Sequence, residues 1–190
     1  EIYRNQGDKE LWKNTLETGF TQFPESESIM IGLINYYIEN QEDPGRLFEL
    51  LHATQEVNPD NASLYYVEGN VYKQLGDIDN AAACYKKAGQ VDPNYFFGPF
   101  GLGDLYYQKA IDIQAQASDE VDDNKYFALI KELDETLGKA IAPFEQAFAM
   151  TQDKELQTVV AEYLKNIYFR FRTKSDDYQQ KYEFYNNFLK

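Results

Sequence analysis

Few side chains in this sequence are able to do covalent or metal chemistry. It holds one histidine, His52, and one cysteine, Cys84. His52 follows Leu50-Leu51 with no serine, cysteine or carboxylate at local spacing to make a catalytic pair, so it reads as structural or exposed. Cys84 sits beside Tyr85 in a helical pattern, where a small buried thiol is the usual occupant, and a lone cysteine closes no internal disulfide. Asp119, Glu120, Asp122, Asp123 and Asn124 gather oxygen donors of the kind calcium takes. They lack the D-x-[DN]-x-[DN]-G spacing and its distal glutamate, so a solvated turn with helix-capping carboxylates accounts for them better. No strand pattern precedes Gly101-Leu102-Gly103, which therefore does not read as a phosphate loop. Asn61-Ala62-Ser63 matches a glycosylation acceptor, a tripeptide common by chance. The expectation is a protein that is not an enzyme, with no catalytic residue, no metal and no cofactor.

The composition narrows the partners. In 190 residues, 32 Asp and Glu face 18 Lys and Arg, a net charge of −14. Nucleic acid and anionic membrane both attract cations, so neither is expected as a partner. Hydrophobic residues at 43% and aromatics at 16% are too many for a disordered chain, and the length suits one domain. No apolar run approaches the roughly 20 residues that span a bilayer, so no direct membrane insertion is expected. The first residue is Glu1 rather than Met, which reads as a processed or trimmed segment of a longer chain. A cytoplasmic and a bacterial periplasmic location fit equally.

What positions the remaining residues is a repeat. Phe23-Pro24, Asn58-Pro59 and Asp92-Pro93 close similar phrases, their prolines 35 and 34 residues apart. Between the last two, Tyr65, Gly69, Tyr72, Gly76-Asp77, Ala81, Tyr85, Ala88 and Pro93 come in turn. Gly69, Ala81 and Ala88 are small where two helices must come close, and Tyr65, Tyr72 and Tyr85 fill the space around them. Gly76 suits a left-handed helix end, Asp77 and Asp79 suit the cap of a second helix, and Pro93 lies just past the end of that helix. This series resembles the tetratricopeptide repeat (TPR) family, whose 34-residue unit is a pair of antiparallel helices.

Carried outward, the same ruler divides residues 1–190 as a single TPR domain. Residues 1–25 (Tyr3, Gly7-Asp8, Trp12, Leu16, Gly19, Pro24) form the second half of a truncated repeat. Residues 26–60 form a weak one, with a long turn from Asn40 to Gly45 and with Ile34 and Arg46 where small residues belong. Residues 61–95 match best. Residues 96–153 form a repeat split by about 25 extra residues, read as a long helical hairpin turning at Ser118 to Asp123, with Pro143 as a bend or joint in its second arm. Residues 154–190 form a degenerate helical pair. The fold class expected is all-α: a TPR right-handed superhelix with its third pair enlarged into a long helical hairpin.

The resemblance implies that the first helix of each pair lines a concave groove. The groove positions include Asn35 in the weak repeat, Tyr66, Asn70 and Lys73 in the best one, and Phe100, Asp104 and Tyr107 in the split one. Phe97 would join them unless Gly98-Pro99 delays its helix. Asparagines there suit the backbone of an extended peptide, and the aromatics suit its side chains. One subset of the family clamps a C-terminal carboxylate with cations, but here Ile31, Val67, Phe97 and Gly101 occupy those places and only Asn35 fits. The implied function is a non-enzymatic scaffold for protein–protein interaction that binds a protein or peptide. The alternative is a structural, self-associating segment of a longer chain, for instance one associated with a bacterial envelope.

Charge is unevenly spread. Residues 1–60 hold 12 acidic and 4 basic side chains, whereas residues 137–190 hold 7 and 8. The last helix carries Tyr178, Tyr182, Tyr185 and Leu189 in one stripe with Phe184 and Phe188 beside it. That stripe either covers the last pair or makes a homo-oligomer contact.

Overall fold

A computed structural model of the chain describes residues 7–23, 26–40 and 42–190. Tyr3 and Pro24, which the repeat reading uses, lie outside the described residues, as does Gln41 of the first long turn. Nine helices succeed one another among the described residues: α1 (Lys9–Gln22), α2 (Glu27–Asn40), α3 (Pro44–Val57), α4 (Ala62–Gln74), α5 (Ile78–Val91), α6 (Phe97–Asp119), α7 (Asp123–Met150), α8 (Lys154–Phe171) and α9 (Asp176–Phe188). There is no strand among them. Each helix packs on its neighbour in sequence, and α4 also touches α6 across α5, the contact pattern of stacked helix pairs.

The helix ends arise from the chain chemistry. Gly76 takes φ +77 after α4, and Asp77 then accepts a hydrogen bond from Asn80 N–H to start α5. Asp8, Asp122, Asp153 and Ser175 cap α1, α7, α8 and α9 in the same manner. The turn after α2 differs from the expectation that it runs to Gly45. α3 begins at Pro44, whose fixed φ suits a first helical position, and the left-handed residue is Asp43 (φ 37), which also caps α3. Pro143 does not end α7, which runs through it from Asp123 to Met150.

Gly69 and Gly103 set how closely the two arms of a pair approach. A Cβ on Gly69 would lie 2.7 Å from the ring of Tyr85, and one on Gly103 2.7 Å from the ring of Phe144. Glycine and aromatic are 16 residues apart in the first case and 41 in the second, the excess of 25 being the insert. The same keyed contact is thus kept in both pairs, and α6 and α7 have grown to 23 and 28 residues where α4 and α5 have 13 and 14. The third pair is the long hairpin the sequence implies.

Three core clusters run along the stack. One joins Trp12 and α2–α3 to Leu64 and Val71 of α4. Ala81, Ala82, Tyr85 and Leu105 form the second, and the largest spans α6 to α9 around Phe144, Leu164 and Tyr168. In the weak repeat, Arg46 fills a small-residue position by pairing outward with Glu17 of α1 at 2.9 Å, a carboxylate that also accepts from Tyr37 at 2.8 Å. Most of the α9 stripe is turned inward. Tyr185 is buried and stacks on Tyr168 at 5.9 Å, Phe188 lies edge-on to Phe148, and Phe184 alone is more than half exposed, at 55%.

Candidate functional site: the concave face

Of the first helices of the pairs, α2, α4, α6 and α8, the first three carry the residues singled out by spacing. Two of these residues gather around Tyr85. Its hydroxyl donates to Asn70 Oδ1 at 2.8 Å, which leaves the Asn70 amide nitrogen as a donor with no partner among the described residues. Tyr66 packs its ring 5.6 Å from those of Tyr85 and Phe97. Phe97 is the first residue of α6 and stays 41% exposed, so Gly98-Pro99 does not delay that helix. Pro99 is tolerated there because the first-turn N–H groups have no helical acceptor.

Four others gather around Tyr163 of α8. Lys73 Nζ reaches Asp104 Oδ2 at 2.5 Å, and the other carboxylate oxygen accepts from Tyr163 at 3.3 Å. The Tyr163 ring stacks on Phe144 at 4.7 Å and meets Tyr107 edge-on at 4.8 Å and Phe100 at 6.2 Å. Burial pushes the Tyr163 hydroxyl above its ordinary value, and the charge of Asp104 adds to it. Asp104, Phe100 and Tyr107 are therefore engaged by the chain's own aromatic wall. Asn35 belongs to neither group and is exposed on α2.

Between these groups and α2 the face is open. A cleft of about 350 Å³ is lined by Ile38, Val67, Asn70, Val71, Lys73 and Gln74. A second, also about 350 Å³, shares Ile38, Val71 and Gln74 and extends toward Leu75. The cleft offers Ile38, Val67 and Val71 beside the amides of Asn70 and Gln74 and the ammonium of Lys73, a combination suited to holding an apolar side chain while hydrogen-bonding a peptide backbone.

On the other side of α4 lies a polar cluster that local spacing does not reveal. Glu68 is 7% exposed and is held by Gln55 Nε2 at 2.8 Å and His52 Nε2 at 3.0 Å, both from α3. His52 thus has a carboxylate partner after all, 16 residues away on the next pair. The Cys84 thiol is pushed up to about 12 by burial, with the Glu68 charge adding to it, so the thiolate needed for nucleophilic attack is suppressed. Among the described residues no three His, Cys, Asp or Glu side chains are placed to hold a metal ion, and no helix is long and apolar enough to cross a membrane. The acidic turn is a capping structure: Glu120 accepts from the N–H groups of Val121 and Asp122, and Asp122 accepts from that of Lys125.

Stacked antiparallel helix pairs, two of them keyed by a glycine–aromatic contact, give the chain the fold of an α-α superhelix of the tetratricopeptide-repeat type. Residues 69–115 match the family model described as TPR repeat. A 40-residue stretch is 38% identical to TPR repeat-containing protein MJ0941 of Methanocaldococcus jannaschii, covering 21% of this chain and 12% of that protein. The chain thus spans about an eighth of that relative's length. Among solved structures, a crystal structure of MamA superposes with a TM-score of 0.66 at 14% identity, over 98% of this chain and 92% of that one. A monomeric mutant of IFIT1 with Gppp-AAAA superposes with a TM-score of 0.57 at 19% identity, over 93% of this chain and 36% of that one. At these identities the likeness is one of fold.

Proposed function

We propose that the chain is a non-enzymatic interaction scaffold that binds a protein or peptide segment along its concave face, at the α2–α4 end. The observation that carries this reading is Asn70, whose carbonyl oxygen is held by Tyr85 and which lines an unfilled cleft with Ile38, Val67 and Val71. Asn35 is exposed on α2, and Val67 lines the cleft while its inner side packs on the α2–α3 core, whereas Tyr66 and Tyr107 are tied into ring clusters. The test is affinity capture from native extract, then titration of the purified captured protein. Asn35→Ala/Val67→Ser should weaken binding by about tenfold or more while leaving helicity intact. Binding at wild-type strength would sink the groove reading.

A second reading has its own support. Phe100, Asp104 and Tyr107 pack on Tyr163, so the middle of this face is occupied from within, and a cleft of about 430 Å³ lined by Tyr107, Ile111, Gln114, Asn166 and Phe169 lies beyond it. On that reading the repeats space or assemble a longer protein. Sedimentation of the chain over a concentration series separates the two: a monomer that binds its partner supports the scaffold, and self-association unaffected by Asn35→Ala/Val67→Ser supports assembly.

A further inference from the structure

We infer that the tip of the α6–α7 hairpin is a second interaction surface, fitted to a cationic protein segment that carries apolar side chains. The inserted length is not needed for the keyed contact of its own pair, which lies at Gly103 and Phe144 near the base. Toward the tip, the last tie from the final pair falls at Asp134, which receives Arg170 at 2.6 Å and Lys174 at 2.7 Å. Among the described residues, no hydrogen bond or ion pair from α8 or α9 reaches α7 beyond that point.

Past Asp134 the two arms hold each other. Ile113 and Ala117 of α6 are buried, as is Leu133 of α7, with Leu129 and Ile130 half-buried beside them. That seam closes the hairpin without Val121, Tyr126 and Phe127, which remain 95%, 40% and 67% exposed. They are not carried on a loose loop. Glu120 clasps the two N–H groups just after it at 3.0 and 2.9 Å, and Asp122 caps α7 at 3.0 Å, so the turn presents Val121 in one place. Phe127 and Tyr126 lean edge-on at 5.6 Å and form a small aromatic ledge. Exposed apolar residues grouped on a protrusion mark a contact surface more often than isolated ones do.

Charge selects the occupant. Asp119, Glu120, Asp122 and Asp123 put four carboxylates in five residues around Val121, and the whole chain carries −14. Such a field repels phosphate, anionic lipid and another acidic tip, and attracts lysine and arginine. The fitting partner is a polypeptide with apolar side chains for Val121 and Phe127, flanked by basic ones. This surface is separate from the cleft between α2 and α4.

The test uses a fluorescein-labelled amphipathic helical peptide with leucine on one face and lysine on the other. Its counterpart carries glutamate in place of lysine, and anisotropy is read at physiological salt against the full chain. The Leu/Lys peptide should bind saturably and the Leu/Glu peptide should not. Val121→Ser/Phe127→Ser and, separately, Asp119→Asn/Asp123→Asn should each weaken binding by about tenfold or more, with unchanged circular dichroism. Binding by both variants at wild-type strength would place the peptide elsewhere and overturn the inference, as would absence of saturable binding. Sedimentation in which the wild type self-associates and Val121→Ser/Phe127→Ser does not would overturn it in favour of a second copy.

Discussion

A methyl carbon added at Gly103 would sit 2.7 Å from Phe144, well inside contact distance, whereas one added at Gly138 of α7 would meet nothing within 4 Å. Gly103→Ala should therefore cost about 1–3 kcal/mol through overpacking. Gly138→Ala should gain about 0.5–1 kcal/mol from helix propensity alone, and denaturant titration would resolve the opposite signs. Acid provides another test at this scale. The hydrogen bond from Arg46, before any other influence, lowers the Glu17 pKa. For Asp134, burial pulls upward but the hydrogen bonds from Lys174 and Arg170 outweigh it, and its pKa is lowered as well. Both groups titrate lower folded than unfolded, so their stabilisation is complete above the ordinary carboxyl values of about 4 and is lost as pH falls through the folded values. Melting temperatures of Glu17→Gln and Asp134→Asn should trail the wild type at pH 6 and converge with it in strong acid. Glycine–aromatic spacing was readable because it recurs. The roles of Glu68 and Tyr163 were not, since each is set by a neighbour on another pair, and the last pair departs too far from the repeat for its register to be assigned.

Helix boundaries were legible where a capping residue and a breaker coincide, as at Gly76-Asp77, and misplaced where they compete, as at Asp43-Pro44-Gly45. There the proline opens the helix and the aspartate takes the left-handed conformation that a glycine would adopt more readily. Asp153 is a case of cooperation: its carboxylate accepts from the N–H groups of Glu155 at 2.8 Å and Leu156 at 3.3 Å. Asp153→Ala should cost about 1 kcal/mol, read as a lower denaturation midpoint with an unchanged slope. A changed slope would mean that α8 frays on its own. The groove side of the elements was legible as a set of positions. Which of those positions are open was not, because the aromatic wall that engages Phe100, Asp104 and Tyr107 comes from Tyr163 and Phe144, residues far from the groove positions in the chain.

For the whole molecule, stability in a stack of pairs is a sum of neighbouring interfaces, so distant parts need not melt together. Trp12 is the single tryptophan and is buried with α2 and α3 in a cluster separate from the one spanning α6 to α9. Its fluorescence should therefore report an unfolding transition that departs from the one seen by far-ultraviolet circular dichroism, which averages every helix. Superimposable curves would show a single cooperative unit instead. The hairpin has a further consequence, for geometry. Its arms are lengthened beyond the keyed contact, so length there is free of the constraint that fixes the rest of the stack. A heptad added to each arm would move the tip outward by about 10 Å with a rotation of only about 20°. A single residue added to each would rotate the face of each arm by about 100° and carry Ile113, Ala117 and Leu133 out of the seam. Reach can thus change in heptad steps while the seam keeps its register, like a boom lengthened by whole sections.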